Sequence, residues 1–330
     1  MKMPFRWVRE DQPGRRWRDH FAETWPSYHG WFLREGDARR PRLEVCRLRL
    51  EQHMPELVEL WGHLAHLAGG SSLVARMLSL YRPTPYLAGC SQAVWLRDEP
   101  LLVRNYDYHP STCEGLFLRS EWNGTRVLAA SDCLWGALDG MNEHGLAVAL
   151  AFGGRREVGD GFGIPLVLRY VLQTCRNRDE AVAALTRIPS HMAYNVTVLD
   201  ETGAHAVVQL SPDRKPVVSS AAVATNHQSG IEWSEYAQLT RSTERESVLL
   251  NYLRNPKLTG ESFTRRFLHA PLYATRYQHS FGTLYTAAYA PRRRKVVFLW
   301  PHARVEQSLD QFQEQSLVVP LMPTTLPGVG

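Results

Sequence analysis

The 330-residue sequence predicts a layered α+β domain, on three observations. Strand-like runs come mostly as neighbours joined by short turns, which is typical of antiparallel sheets. Helical patterns are grouped between blocks of strands rather than alternating with single strands, which disfavours a doubly wound parallel sheet. A hydrophobic fraction of 44%, with ten tryptophans, is enough to bury a sizeable core.

Helical patterns dominate the chain before Cys90. The first runs through "RRWRDHFAETWPSYHGWFLREG", residues 15–36. In the second, apolar side chains recur at three- and four-residue steps and form one face of an amphipathic helix; they are Leu57, Leu60, Trp61, Leu64 and Leu67. The pair Gly69-Gly70 interrupts this pattern before Ser72 begins another helix.

Strand-like runs become frequent after Cys90. "CSQAVWL" and "PLLVRNY" flank "RDE", and "LFLRSE" and "RVLAAS" flank "WNGT", in which Asn123-Gly124 is the strongest hairpin signal of the chain. Further strands are predicted at "HGLAVALAF", "YNVTVLD", "HAVVQLS", "AAVATN", "GTLYTAAYA" and "KVVFLW". Helices are predicted at "GIPLVLRYVLQTC", "RDEAVAALTRI" and "SEYAQLTRSTERESVLLNYLR".

Composition argues against several classes of protein. A net charge of +5, spread along the chain, is well short of a nucleic-acid-binding signature. Five cysteines with no CxxC pair disfavour a disulfide framework and favour a reducing compartment. The N-terminus lacks a signal-peptide core, and no run reaches the roughly 20 apolar residues of a membrane span. We therefore expect a cytoplasmic protein without nucleic-acid or membrane partners.

Cys90 raises the central chemical question. A lone intracellular cysteine is commonly a small buried hydrophobe. Three features favour a nucleophile: Gly89 leaves the preceding carbonyl sterically open, the pair lies where a helical segment meets a strand-rich one, and a cut there would give Cys90 a free α-amine. The reference pKa of such an amine, about 7.7–8.0, suits a base for its own thiol.

From Gly89 onward the chain resembles a known family of enzymes. The pieces that carry the resemblance are "GCS" (89–91), "RNYD" (104–107), "LDGMNEHGLAVAL" (138–150), "YNVTVLDETG" (194–203), "ATNH" (224–227) and "STER" (242–245). In this order they resemble the acyl-coenzyme A:6-aminopenicillanic acid acyltransferases (peptidase family C45). These are N-terminal-nucleophile (Ntn) cysteine hydrolases related to bile salt hydrolases and penicillin V acylases.

The resemblance implies a role for five residues. Cys90 would be the nucleophile, first for self-cleavage after Gly89 and then for substrate. Arg104 would lie beside the thiolate, and Asp107 would hold the new α-amine. In a regular strand, however, residues 104 and 107 face opposite sides, so both reach Cys90 only if the strand ends or bulges near Tyr106.

The other two implied residues lie later in the chain. Asn226 would donate a hydrogen bond to the oxyanion. The residues alone are equally consistent with an Asx-turn at a strand end. Arg245 would help to order the site, although "TRSTERESV" also fits a charged helix face. Related enzymes often have a polar side chain near Phe152, so the second oxyanion donor is left open.

The resemblance implies an αββα sandwich, with two antiparallel sheets between helical layers, in agreement with the predicted hairpins. Residues 1–89 would form a helical leader that stays associated after cleavage, and residues 90–330 the catalytic body, with a loose Pro/Gly-rich tail from about 318. "DGMNEHG" (139–145) would be a tight turn. The substrate would be a small acyl amide or an acyl-CoA-type thioester, with no metal or organic cofactor; a homo-oligomer is compatible.

Two alternatives of other classes remain open from the sequence. In the first, the protein keeps the fold without the reaction and binds a small molecule, in which case the chain stays uncut and Cys90 is unreactive. In the second, arginines such as those of "PRRRK" (291–295) attract nucleic acid or another anionic surface, which predicts salt-dependent binding.

Overall fold

Two β-sheets packed face to face form the centre of the protein, as seen in a computed structural model that describes residues 1–279 and 281–322. The strands are β1 (Lys2–Arg9), β2 (Gly89–Trp95), β3 (Leu101–Tyr108), β4 (Leu116–Ser120), β5 (Val127–Asp132), β6 (Gly136–Asn142), β7 (Leu146–Phe152), β8 (Tyr194–Asp200), β9 (His205–Leu210), β10 (Val217–Ser219), β11 (Val223–Ala224), β12 (Thr275–Arg276), β13 (Phe281–Ala290), β14 (Lys295–Trp300), β15 (Ala303–Ser308) and β16 (Gln315–Pro320).

Each sheet has a simple strand order. The first sheet runs β10-β9-β8-β7-β6-β5-β4-β1-β16, and the second runs β11-β2-β3-β13-β14-β15, with β12 paired to β13. The pairs are antiparallel except for β1 and β4, which run parallel. The predicted hairpins are present, and Asn123 (φ 68°) and Gly124 (φ 76°) make the tight turn between β4 and β5.

Helices cover the outer faces of both sheets. The α-helices are α1 (Arg15–Phe32), α2 (Leu43–His53), α3 (Val58–Leu67), α4 (Ser72–Leu78), α5 (Ile164–Thr174), α6 (Arg178–Arg187), α7 (Ser234–Thr240), α8 (Ser242–Arg254) and α9 (Gly260–Arg266). Helices α5 and α6 pack on the first sheet, whereas α8 and α9 pack on the second, where Leu249 and Phe263 join Trp95 and Val103 in one cluster. The predicted αββα sandwich is confirmed.

The helices can also be compared with the requirements of a lipid bilayer. None of the helices within residues 1–279 and 281–322 combines the length and the apolar character that crossing a membrane would require.

We expected the leader, residues 1–89, to be helical, but it also contains a strand. Its first residues form β1, which lies between β4 and β16 in the first sheet. Met3, Phe5 and Trp7 are buried while Lys2 and Pro4 are exposed, so the period-two pattern of a strand is already present in "KMPFRWVR".

Two other predictions of local structure were wrong. Val318 and Pro320, expected in a loose tail, belong to β16 and pair with β1; the rest of that tail, 323–330, lies outside the described residues. The predicted turn "DGMNEHG" is shorter than expected, because its first four residues, 139–142, end β6. Gly145, with φ of 71°, does lie in the turn.

We predict that Trp7→Ala strongly destabilises the protein. The Trp7 ring is 1% exposed and lies 4.9 Å from the Phe117 ring and 5.7 Å from the Phe298 ring. Emptying this space should cost about 3–5 kcal/mol of unfolding free energy, measured by chemical denaturation. Lys2→Ala, at an exposed position of the same strand, should change it by no more than about 0.5 kcal/mol. Equal effects of the two substitutions would contradict the prediction.

Candidate active site

Gly89 and Cys90 are the first two residues of β2, and both are buried. In the antiparallel pairing with β3, Gly89 lies opposite Asp107 and Cys90 opposite Tyr106. A Cβ atom on Gly89 would lie 2.4 Å from the ring of Phe281 and 3.2 Å from the Cβ of Asp107. Any larger residue here would force the Phe281 ring to move, which is a packing reason for glycine in addition to an open carbonyl.

Arg104 joins the thiol of Cys90 to the opposite sheet. Its Nη2 donates to Cys90 Sγ at 3.2 Å, and its Nε donates to the carbonyl oxygen of Leu150 in β7 at 3.1 Å. Its Nη1 forms an ion pair with Asp139 in β6, and both side chains are fully buried. Cys90 and Arg104 therefore face the space between the two sheets.

Asp139 is the main residue of this site that the sequence analysis missed. Its carboxylate accepts hydrogen bonds from Tyr285 Oη at 2.7 Å and from Tyr289 Oη, in addition to the ion pair with Arg104. Burial raises the pKa of both tyrosines well above the usual value, and the Asp139 charge adds to this shift, so the two phenols remain donors. We had placed Asp139 in a turn, where it would have been exposed.

The Cys90 thiol is neutral in this structure. Burial raises its pKa above the ordinary value, the positive charge of Arg104 opposes this rise, and the negative charge of Asp107 adds to it. The direction predicted for Arg104 is therefore present, but it does not outweigh the loss of water around the sulfur. A thiolate is therefore not the resting state of this enclosed geometry.

Asp107 points to the other face of β3. Its carboxylate forms an ion pair with Arg245 in α8 and accepts a hydrogen bond from Thr283 Oγ1 at 2.6 Å. Arg245 is 1% exposed, and its Nε donates to the carbonyl oxygen of Pro271 at 2.9 Å. The strand continues to Tyr108, so Asp107 and Arg104 face opposite sides, as strand geometry requires.

The bulge that would have brought both side chains to Cys90 is not in β3. A register shift does occur here, but it lies in the neighbouring β13, between Thr283 and Tyr285. The pairing of β3 with β2 is unbroken from residue 101 to residue 107.

Asn226 holds the backbone nitrogen of Cys90. Its Oδ1 accepts the Cys90 N–H at 2.9 Å, and this is the contact that we had expected Asp107 to make once an α-amine is present. Its Nδ2 donates to the carbonyl oxygens of Phe152 at 3.0 Å and Ala88 at 3.4 Å. Because a backbone N–H can only donate, the amide oxygen must face Cys90 and the amide nitrogen must face the two carbonyls.

The five predicted residues thus form two groups. Cys90, Arg104 and Asn226 meet at the start of β2, whereas Asp107 and Arg245 form a buried ion pair behind it, on the side of the helices α7–α9. Within the described part of the chain, no group of three or more His, Cys, Asp or Glu side chains is placed to hold a metal ion.

A cavity of about 570 Å³ lies near Cys90, on the far side of the Tyr106 ring. Tyr106, opposite Cys90 in the sheet, lies against Tyr108 with ring centroids 5.8 Å apart, and Tyr108 lines the cavity. Trp31 of α1 and Tyr86 form another part of the wall. The size and aromatic lining suit a small organic ligand, and the leader supplies part of the wall.

Two carboxyl groups also line this cavity, Glu114 and Asp132. Burial opposes ionisation of Glu114, but His20, the Tyr28 hydroxyl and the Leu134 N–H together lower its pKa to about 2. Burial raises the pKa of Asp132 to about 7, and the charge of Glu114 adds to the rise. The cavity therefore carries one permanent negative charge and one that forms near neutral pH.

An αββα sandwich of two β-sheets is the architecture of the Ntn hydrolases, the class that the motifs of this sequence resemble. The profile of the acyl-coenzyme A:6-aminopenicillanic acid acyl-transferase family matches residues 95–304, well over half of the chain, and the chain belongs to this family. The matched stretch contains Arg104, Asp107, Asn226 and Arg245 and begins just after Cys90. A comparison with curated proteins gives no match.

Solved structures similar to this chain include three enzymes. One is a mutant of the conjugated bile acid hydrolase from Clostridium perfringens (14% identity, 73% of this chain and 100% of that chain, TM-score 0.42). Another is the penicillin V acylase from Agrobacterium tumefaciens (15%, 69% and 90%, 0.46). A third is the Caenorhabditis elegans ortholog of N-acylethanolamine-hydrolyzing acid amidase (16%, 70% and 100%, 0.47).

We predict that Asp139→Asn destabilises the protein by about 3–5 kcal/mol, because it leaves the buried Arg104 guanidinium without its counter-charge. The free energy of unfolding would be measured by chemical denaturation. Asp310→Asn is the matched control: Asp310 pairs with Arg126 on the surface, where losing the pair should cost less than about 1 kcal/mol. Similar losses in both variants would show that Asp139 does not serve as a buried counter-ion.

A second prediction concerns pH. Because the pKa of Asp132 is raised on folding, the folded state binds more protons than the unfolded state between about pH 4 and 7, and stability falls as pH rises through that window. Asp132→Asn lacks this loss, so its stability relative to the wild type should rise by on the order of 1–4 kcal/mol between pH 4.5 and pH 7.5.

The measurement is denaturation of both proteins across this pH range. Ser27→Ala, which replaces an exposed uncharged side chain lining the same cavity, should keep a constant difference from the wild type. A constant difference for Asp132→Asn as well would contradict the assigned direction of its pKa shift.

Proposed function

We propose that the protein is a self-processing cysteine amidohydrolase or acyltransferase whose nucleophile is Cys90, freed by a cut after Gly89. One observation carries the proposal: the two reactive atoms of Cys90 are held separately. Arg104 donates to its sulfur at 3.2 Å, and Asn226 accepts from its backbone nitrogen at 2.9 Å. Membership of the acyl-transferase family supports the same class of reaction.

The cut would proceed as an acyl shift from nitrogen to sulfur. Cys90 Sγ attacks the carbonyl carbon of Gly89, the C–N bond breaks, and the thiol proton passes to the departing nitrogen. The resulting thioester is hydrolysed by water, which leaves a carboxylate on Gly89 and a free thiol and α-amine on Cys90. The products are chains of 89 and 241 residues.

After the cut, the roles of the residues would follow from their positions. The α-amine of Cys90 takes up the thiol proton, and Asn226 Oδ1 stays in reach of that amine. Arg104 stabilises the thiolate and is itself kept in place by Asp139. In this proposal Asp107 acts indirectly, since its ion pair with Arg245 fixes the end of β3 opposite Gly89.

Turnover would pass through an acyl-enzyme. The thiolate attacks the carbonyl of a small acyl amide or acyl-CoA-type thioester, the leaving group departs with a proton, and the acyl group is transferred to water or to an amine. The aromatic cavity beside Tyr106 is the place for one part of the substrate. No metal or organic cofactor takes part in this scheme. We propose that the reaction takes place in the cytoplasm.

The two chains would stay together after the cut. Strand β1 of the leader is hydrogen-bonded on both sides, to β4 and to β16 of the body, and its residues Phe5 and Trp7 are buried. Separating the chains would expose these side chains and break two strand pairings, so the leader would remain part of the active protein.

The proposal predicts that the purified wild type is cut at Gly89-Cys90, whereas Cys90→Ala stays whole. Denaturing mass spectrometry of the intact proteins measures this directly. Cys175→Ala, which removes another buried and free thiol, should be cut like the wild type. A folded wild type that remains a single chain of 330 residues would overturn self-processing and favour a small-molecule binding protein of the same fold.

The processed protein should also turn over acyl compounds. A panel of p-nitroanilides and coenzyme A thioesters with short, branched and aryl-substituted acyl groups would be tested in the presence and absence of an added amine. Release of p-nitroaniline or free coenzyme A by the wild type, and not by Cys90→Ala, is the expected result. A processed protein that hydrolyses none of these and forms no acyl-enzyme in mass spectrometry would count against this substrate class.

A further inference from the structure

Phe152 stands where related enzymes often have a polar side chain, and the structure shows what covers it. The ring of Tyr236, in α7, meets the Phe152 ring edge-on, with centroids 5.2 Å apart and planes at 87°. Tyr236 is 5% exposed. Its hydroxyl donates to the carbonyl oxygen of Ala88 at 2.9 Å. A hydrogen-bond donor is thus present at this place, supplied by a different element of the fold.

A second donor points at the same oxygen atom. Asn226 Nδ2 lies 3.4 Å from the carbonyl oxygen of Ala88, while Asn226 Oδ1 accepts from the Cys90 N–H. Two buried side-chain donors, a phenol and an amide, therefore converge on one carbonyl oxygen close to the nucleophile. This is the arrangement by which enzymes stabilise the oxygen of a tetrahedral intermediate.

The Ala88 carbonyl does not itself belong to the bond that would be cut. It precedes Gly89, and after cleavage it would lie in the last two residues of the leader, no longer bonded to Cys90. A substrate carbonyl attached to Cys90 Sγ would need a place for its oxygen beside these donors. The leader carbonyl would then be a temporary occupant of the site.

We propose that Tyr236 is the second oxyanion donor of this enzyme, together with Asn226, and that the Ala88 carbonyl occupies the oxyanion position until the chain is cut. The inference rests on the proposed function, since it requires acyl transfer through Cys90. It assigns Tyr236 a role that no motif in the sequence indicates. The donor lost at Phe152 is replaced through the helix that packs on that residue.

The electrostatic environment keeps Tyr236 in the form that the role needs. Burial raises the pKa of its phenol well above the usual value, and the negative charges of a Cys90 thiolate and of Asp107 add to the rise. The phenol therefore stays protonated and donates without giving up its proton. It acts by hydrogen bonding and not as a general acid.

The chemical step balances with this assignment. The Cys90 thiolate forms a bond to the carbonyl carbon of the substrate, and the C=O π electrons move to the oxygen, which accepts hydrogen bonds from Tyr236 Oη and Asn226 Nδ2. When the C=O bond re-forms, the bond to the leaving nitrogen or sulfur breaks. The leaving group takes the proton that the α-amine of Cys90 had received from the thiol.

The test compares Tyr236→Phe with Tyr194→Phe. Tyr194 is also buried against Phe152, with ring centroids 6.0 Å apart, but its hydroxyl donates to Met192 Sδ, whereas the Ala88 carbonyl accepts from Tyr236. With an acyl p-nitroanilide that the wild type hydrolyses, Tyr236→Phe should lower kcat by about 10²- to 10³-fold while KM changes by less than about threefold. Tyr194→Phe should leave both constants unchanged. An unchanged kcat in Tyr236→Phe would overturn the inference.

A second measurement covers the case in which Tyr236→Phe only disturbs the packing. An aldehyde that carries the acyl chain of the substrate adds to the Cys90 thiol and forms a tetrahedral hemithioacetal, whereas the corresponding alcohol has no carbonyl carbon and forms no such adduct. The substitution should weaken binding of the aldehyde by a factor similar to its effect on kcat and leave binding of the alcohol unchanged. Equal weakening for both compounds would show a structural role and overturn the inference.

These outcomes are separate from those that test the proposed function. If the wild type is neither cut nor able to bind the aldehyde more tightly than the alcohol, Cys90 is not a nucleophile, and both proposals fail. If the wild type is cut and active while Tyr236→Phe behaves like Tyr194→Phe, only the assignment of Tyr236 fails.

Discussion

The buried ion pair between Arg104 and Asp139 is the interaction on which the rest of the site depends. It joins the two sheets across their interface, and the same guanidinium reaches the Cys90 sulfur. Removing two charges from water is costly, and the pair is tolerable because Tyr285 and Tyr289 complete the hydrogen bonds of the carboxylate. The position of the thiol therefore depends on the packing of one whole sheet against the other.

The two faces of strand β3 carry residues with different partners. On the inner face it carries Arg104 toward Cys90, and on the outer face Asp107 binds Arg245 of the helical layer. Gly89 lies opposite Asp107, and a side chain there would meet the Phe281 ring and the Cβ of Asp107. The Gly89–Cys90 peptide bond thus lies in a closely packed, buried environment, in which the Cys90 thiol is neutral.

Hairpins and helices were predictable from local patterns, and the resemblance to a family located the residues around Cys90. Asp139 was not predictable in this way, because β6 is buried along its whole length and shows no alternation of polar and apolar residues. The partner of β1 was also beyond local patterns, since it pairs with residues more than 300 positions away. Strand geometry alone predicts that Asp107 faces away from Arg104, and the structure agrees.

The position of β1 has a consequence for how the protein folds. Strand β1 lies inside the first sheet, between β4 and β16. A body produced without its leader would have two open strand edges in the interior of the sheet, each a template for pairing with another molecule. Residues 1–89 thus contain a strand that the first sheet needs in order to close during folding.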